Sequence, residues 1–364
     1  MAIRQRSMEG LVMKPSMNFW SGKRVLLTGH TGFKGGWLAL WLQKLGADIT
    51  GISLPPATSP NLFLLASLEK TIKGHFIDIR DRNRLSEQIK RVNPQIVFHL
   101  AAQPLVRAGY HEPVKTFETN ILGTVNVLDA LRKCDSLEAC VIITTDKVYR
   151  NLEWPYPYRE VDELGGYDPY SASKAATEII VESYRKSFFT EMTAGLATAR
   201  AGNVIGGGDW AEDRLIPDAI KAWQKGQTLT IRRPGAIRPW QHVLEPLYGY
   251  LVLAENMVGD RSLSGSYNFG PAPSQTASVK EVITLASTFY GRGETAFNTR
   301  KTGPHEANNL ALETAKARSV LGVTPKWSLE KAIKETISWY RQLENGQDAG
   351  KLCLSQLAEF ESSL

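Results

Sequence analysis

The sequence predicts an α/β protein: a Rossmann-type doubly wound parallel sheet followed by a smaller, mostly helical C-terminal substrate lobe. Three observations carry this. Lys23–Thr28 is a short apolar strand that runs into Gly29-His30-Thr31-Gly32-Phe33-Lys34-Gly35-Gly36, after which Trp37, Leu38, Leu40, Trp41, Leu42 and Leu45 recur at helical spacing. From there to residue 201, apolar strand-like runs alternate with helical ones, the pattern of a parallel sheet covered on both faces. Finally, an apolar run at Ala139–Ile143 ends in Thr144-Thr145-Asp146-Lys147, and Tyr170 and Lys174 open the following helix. Open α/β sheets carry their ligands at such strand ends.

Taken in order, the glycine loop lies between a strand and a helix, the context in which it binds a dinucleotide. Gly29 permits the turn, Gly32 lets backbone approach a pyrophosphate, and Gly35 lets helix and strand pack closely. The amides at the helix start then face the phosphates. Asp48–Ser53 is a second strand. Ser53-Leu54-Pro55-Pro56 holds neither an acid for a ribose nor an Arg for a 2′-phosphate, so this strand end does not choose between NAD and NADP. Phe76–Asp81 ends a third strand, where Asp78 either meets the adenine edge or caps the next helix. Ile96–Leu100 is a fourth strand, and the small Ala101 and Ala102 at its end leave room for a cofactor. Val114–Leu131 reads as one long amphipathic helix carrying Asn120, placed to hold backbone or water near the site.

Tyr170 and Lys174 sit four apart and share a helical face. An ammonium beside a phenol favours phenolate, so Lys174 is expected to lower the Tyr170 pKa and make it a base. Gly195–Ala201 is a sixth strand. Beyond it, the glycines of Gly202–Trp210 suggest a mobile or tightly approached loop, and the elements become shorter and less regular. Arg238 suits a diphosphate, because guanidinium pairs with phosphate in fixed geometry. His305 and Glu306 either reach a sugar or nucleotide or cap the stretch 302–310. The divisions expected are a flexible extension over 1–17, a dinucleotide domain over 18–202, a sugar-nucleotide lobe over 203–343 that exchanges segments with it, and a tail over 344–364. Met8, Met13 and Met17 are alternative starts.

Bulk properties narrow the function. The chain has 364 residues, 43% hydrophobic and 22% charged, and a net charge of +6. Its basic residues are scattered with no run of five or more, which fits an anionic small molecule at least as well as a nucleic-acid surface, the latter suggested only by the basic balance. Three cysteines without a CxxC provide neither a disulfide framework nor a zinc site and suggest a reducing, cytoplasmic compartment. No apolar run reaches ~18 residues, so no membrane span is expected.

Longer motifs narrow the reading further. Gly29–Gly35, His99–Arg107, Gly165–Ser171, Arg200–Trp210 and Arg238–Val243 resemble the nucleotide-sugar 4,6-dehydratases among the extended short-chain dehydrogenase/reductases, specifically the branch acting on CDP-glucose. The similarity covers about residues 18–342. The wider family has Asp-Glu after the threonine. Asp146-Lys147 departs from that but is similar to the CDP-glucose branch. Inverting 5-dehydratases also carry lysine there but lack the tyrosine, which is present here as Tyr170.

This resemblance implies NAD rather than NADP, no metal, a homo-oligomer (dimer or tetramer) and a place in deoxysugar biosynthesis for lipopolysaccharide O-antigen. It assigns Gly29, Gly32, Phe33, Lys34, Gly35, Asp78, Ile79, Ala101, Ala102 and Asn120, with Tyr170 and Lys174, to the dinucleotide. Gln103, Arg107, Asn203, Arg238, Gln241, His305 and Glu306 go to the sugar nucleotide. The implied catalytic set is Thr145, Asp146, Lys147, Tyr170 and Lys174: Tyr170 takes the 4-hydroxyl proton, Thr145 holds the 4-oxygen, and Asp146 and Lys147 divide acid and base work. Alternatives on the same fold are a dehydratase for another nucleotide or a 4-epimerase, although an epimerase needs no acid for C6. A non-catalytic dinucleotide sensor has no need of Tyr170 and Lys174.

Overall fold

The computed structural model describes residues 13–298 and 307–364. Six strands, β1 (Arg24–Thr28), β2 (Asp48–Ser53), β3 (Lys73–Phe76), β4 (Ile96–His99), β5 (Ala139–Ile143) and β6 (Gly195–Ala201), are joined by the later strand Gly265–Phe269. The resulting sheet runs Gly265–Phe269, β6, β5, β4, β1, β2, β3, with all neighbours parallel. The interior strands are largely apolar because helices cover both faces. The chain leaves β1 for β2 on one side and later places β4 on the other. The crevice at the C-terminal ends of β1 and β4 is therefore a topological switch point.

The first helix, Phe33–Lys44, buries Trp37, Leu38, Trp41 and Leu42. His30, in the loop before it, is fully buried and lies edge-on to Phe63. Gly51 and Gly74 make room for it: a Cβ on Gly51 would stand 2.5 Å from its ring. Burial pulls the imidazole down to about 4, so it is a neutral packing element here.

Two stretches depart from the sequence expectation. The third strand ends at Phe76, and Ile77–Asp81 form the loop beyond it. The helix expected over 114–131 starts at Pro113 and contains one wide π turn, Glu118–Leu122, before resuming at Gly123. Asn120 sits in that turn.

The later half is woven back into the sheet. Leu244–Gly259 is a helix buried along most of its length, and Gly265–Phe269 pairs with β6. The Gly202–Trp210 loop is tightly approached. A Cβ on Gly207 would stand 2.0 Å from the Trp339 ring, and Trp37 Nε1 donates to the Gly207 carbonyl at 2.9 Å. The tail forms a helix, Ala349–Ser362, that buries Leu352, Leu357 and Phe360, and Trp41 Nε1 donates to Glu361 at 3.0 Å. Residues 13–17 of the expected extension are docked. Tyr248 donates to the Met13 carbonyl at 2.6 Å, Ser16 caps the short helix Met17–Trp20, and Trp20 Nε1 donates to Glu255 at 2.9 Å.

Gly207→Ala forces its new methyl into Trp339. We expect a loss of about 1–3 kcal/mol of stability, the range for overpacking, read as a lower denaturation midpoint at unchanged m.

Candidate active site

The glycine loop is fixed by its neighbours. Gly29 has φ +76, and a Cβ on it would stand 2.8 Å from the Ala101 amide nitrogen. A Cβ on Gly35 would stand 2.1 Å from the Gly29 carbonyl oxygen. The amides of Leu100 and Ala101 donate to Thr28 Oγ1 at 3.1 Å each, tying the β4 end to the β1 end. Gly32 occupies the N-cap of Phe33–Lys44 without a side chain and lines the cleft. The amides that open this helix thus face a space suited to an anion.

That space is one cleft of about 1460 Å³. It runs from the glycine loop past the ends of β4 and β5 to the later lobe. Gly29, Gly32, Phe33, Lys34, Gly35, Asp78, Ile79, Ala101 and Ala102 line it, as do Thr145, Lys147, Tyr170, Lys174, Arg107, Asn203 and Arg238. The Asn203 Oδ1 is buried with no hydrogen-bond partner among the described residues. Arg238 is buried on a two-residue strand, and its guanidinium donates to the carbonyls of Ile237 and Ala307. Asp78 holds Arg80 at 2.7 Å, and that hydrogen bond keeps its carboxyl below the usual range.

Three expected site residues face elsewhere. Gln241 is buried on the strand Trp240–His242 and donates to the Phe269 carbonyl at 3.0 Å, outside the cleft lining. Gln103 uses its amide within its own loop, donating to Thr116 at 2.9 Å and accepting from the Leu105 amide at 2.6 Å. Asn120 accepts from the Gln103 amide at 2.8 Å and donates to Ser173 at 2.8 Å. It holds the β4 loop against the Tyr170 helix rather than touching the cleft. His305 and Glu306 lie outside the described residues. The cleft also takes Arg80, Lys115, Thr119, Arg214 and Arg232, which no spacing in the sequence marks.

At the β5 end, Thr145 donates to Asp146 Oδ1 at 2.9 Å and Lys147 Nζ reaches the same oxygen at 3.3 Å. The Asp146 side chain is 0% exposed and its Oδ2 has no partner among the described residues, whereas Lys147 is 30% exposed and lines the wall. Burial, with Arg214, Lys174 and Lys147 adding to it, pulls Lys34 down to about 7 against the pull of Asp146.

The expected lowering of Tyr170 by Lys174 is not found. Burial pushes the phenol up to about 12, opposed mainly by its hydrogen bond with Thr145 and by Arg214. Lys174 instead donates to the Ile143 carbonyl at 3.0 Å and is itself drawn down to about 8 by burial, against Glu178. Desolvation of two buried groups outweighs their sequence proximity.

Glu178, one turn past Lys174, anchors this wall from behind. It accepts from Thr144 at 2.5 Å, Thr198 at 2.7 Å, Ser266 at 3.2 Å and Arg200 at 2.8 Å. Arg200 also donates to the Tyr149 hydroxyl at 2.8 Å.

The family model for GDP-mannose 4,6 dehydratase matches residues 26–336. The chain belongs to this family. It is 44% identical over 337 residues to a CDP-glucose 4,6-dehydratase of Salmonella typhimurium, covering 91% of this chain and 94% of that one. A Thermus thermophilus UDP-glucose 4-epimerase solved with NAD superposes with a TM-score of 0.74 at 25% identity, over 87% of this chain and 98% of that one. The fold is also that of the Thermotoga maritima UDP-glucose 4-epimerase, with a TM-score of 0.76 at 21% identity, over 88% of this chain and 99% of that one.

Glu178→Gln removes the charge from a buried pair and leaves Arg200 uncompensated, so we expect a loss of about 3–5 kcal/mol. The Arg200 and hydroxyl contacts hold Glu178 below its usual range. The pair's stabilisation is present above the unfolded glutamate value near ~4.3 and is lost as pH falls through the lower folded value. Denaturation of both proteins across acid pH checks this: the difference between them should shrink towards low pH.

Proposed function

We propose that this protein is a hydro-lyase that converts CDP-glucose to CDP-4-keto-6-deoxyglucose and water. The observation that carries the proposal is the meeting of Tyr170, Thr145 and Lys147 on one wall of the cleft, with Asp146 buried behind them in contact with Thr145 and Lys147. The similarity to the Salmonella typhimurium enzyme supports the choice of substrate. The residues fit a bound NAD: a side-chain-free Gly32 at a helix start for the pyrophosphate, with Asp78 and Ile79 along the wall beyond. When bound, NAD supplies the oxidant for C4 and the reductant for C6, and ends each turnover in its starting form.

The protein's own residues handle the protons. Tyr170 accepts the 4-hydroxyl proton as phenolate, the form that burial opposes and that Thr145, Arg214 and the positive ring of a bound NAD would favour, and Thr145 holds the 4-oxygen. The 4-ketone acidifies the C5 hydrogen. The 3.3 Å contact between Lys147 and Asp146 reconciles two demands that conflict for a fixed ion pair. Moving one proton from ammonium to carboxylate leaves a neutral amine at the cleft wall and a protonated acid beside it. The amine removes the C5 proton and the acid protonates the departing 6-hydroxyl. Water leaves, and the pair returns to ammonium and carboxylate. Arg107, Arg232 and Arg238 line the cleft to hold a diphosphate.

Two neighbouring helical stretches, Pro113–Leu131 and Pro169–Ser187, leave Val114, Phe117, Leu122 and Ile179 exposed. This apolar face supports a homo-oligomer, dimer or tetramer, in which a second copy covers it; a monomeric mass by light scattering would count against it. The three cysteines are free thiols, which fits the cytoplasm, and a deoxysugar product suits O-antigen assembly.

The test is direct. Purified protein with a panel of nucleotide-glucoses should yield a 4-keto-6-deoxy sugar from CDP-glucose; a C4 epimer instead would mean an epimerase. Tyr170→Phe should slow the first step by about 10²–10⁴-fold, the contribution of a positioned acid–base group. Lys147→Ala should keep that step and accumulate reduced cofactor absorbance in a single turnover, with little C5 exchange into deuterated water. Wild-type exchange in Lys147→Ala would remove lysine as the base.

A further inference from the structure

The relatives of this chain act on sugars carried by different nucleotides, so a residue that reads the base must lie in the cleft. The helix Leu215–Gln224 and the strand Leu229–Ile231 close its far end. Pro217, Leu229, Ile231 and Val279 give that end flat apolar walls. Leu229 and Ile231 are almost fully buried, as a slot for a planar ring requires.

Charged side chains also line this end, among them Asp213, Asp218, Lys221 and Arg232, and Asp218 differs from the others in its partners. Asp218 lines the cleft, and its carboxylate makes no hydrogen bond or ion pair among the described residues. Its neighbours are committed elsewhere. Lys221, one turn on, donates to the Trp210 carbonyl at 2.7 Å. Arg107 and Arg232 both turn to Asp213, at 2.9 and 3.4 Å. Arg214 lies 3.7 Å from Asp209. Burial pushes Asp218 up to about 6 against Lys221, so at neutral pH it is still an anion that only accepts hydrogen bonds.

An unpaired anion repels phosphate and selects a donor. A pyrimidine offers one at its exocyclic position only when it is cytosine, whose 4-amino group donates; uracil and thymine present the O4 acceptor there. We propose that Asp218 is the residue that makes this site specific for a cytosine nucleotide, by accepting the 4-amino group. This rests on the reading of the cleft as a nucleotide-sugar site and adds which residue reads the base. A carboxylate facing O4 leaves two acceptors opposed in a water-poor slot, so the same residue excludes uracil as it recruits cytosine.

The experiment uses the full chain loaded with NAD and compares wild type, Asp218→Asn and Asp218→Ala. Dissociation constants for cytidine and uridine diphosphates are measured by calorimetry, and kcat/KM for CDP-glucose and UDP-glucose in parallel. Wild type should prefer the cytidine ligand. Asp218→Ala should lose roughly ten- to hundredfold in that preference, the scale of one hydrogen bond to a charged group. Asp218→Asn, whose amide can donate to O4, should also gain affinity for uridine diphosphate. An unchanged ratio in both variants overturns the proposal. So does an equal fall for both nucleotides, which would make Asp218 a partner of the shared ribose. The binding ratio needs no turnover. If wild type binds cytidine diphosphate selectively and Asp218→Ala does not, the assignment holds even where no dehydration product forms; that outcome would count against the proposed reaction alone.

Discussion

A single buried carboxylate organises the wall that carries Tyr170 and Thr145. Glu178 receives hydrogen bonds from the end of β5, from β6, from the strand Gly265–Phe269 and from Arg200. It is carried by the same helix that presents Tyr170 and Lys174. A charge so placed is tolerable only because it is paired with Arg200 and both of its oxygens accept hydrogen bonds. The reward is geometric: Thr144 cannot shift without breaking this network, and Thr145, Asp146 and Lys147 follow it directly in the chain. Asn120 does the same from the other side, joining the β4 loop to Ser173 through the π turn. The side chains proposed to react are thus held by polar contacts behind the wall.

In front of the wall the balance is reversed. Lys34, Lys147, Lys174 and Arg214 surround one buried Asp146, so positive charge is in excess where the cofactor phosphates and an oxyanion would lie. Burial with repulsion from Arg214 brings Lys34 to about 7, and burial brings Lys174 to about 8 against Glu178, so either ammonium can lose its proton near neutrality. A lysine in this setting can act as a base, which it does not do on an ordinary surface.

Much of this was legible in the sequence. The strand–glycine–helix unit, the order of strands to Ala201 and the two halves of the catalytic cluster follow from local pattern, because apolar periodicity and turn chemistry are local properties. What failed depended on the third dimension. Gln241 and Gln103 sit in motifs that suggest ligand contact, yet each amide finds a backbone partner that no linear pattern reveals. The effect of Lys174 on Tyr170 was read from spacing on a helix, which fixes proximity but not desolvation. The π turn was hidden because Glu118–Leu122 keeps the apolar pattern of an ordinary helix. Arg214 and Asp218 come from a stretch of mixed charges whose placement on the cleft depends on a helix packing against a strand.

The return of Gly265–Phe269 to the sheet has a consequence for how the chain is made. During synthesis the first six strands emerge as a nearly complete nucleotide-binding half, but β6 is then an open edge with unpaired amides and carbonyls. Ser266 and Asn268, which finish the polar network at Glu178 and Tyr149, are still unmade. The growing protein must therefore carry an exposed strand and an underfilled charge network until residue 269 has left the ribosome.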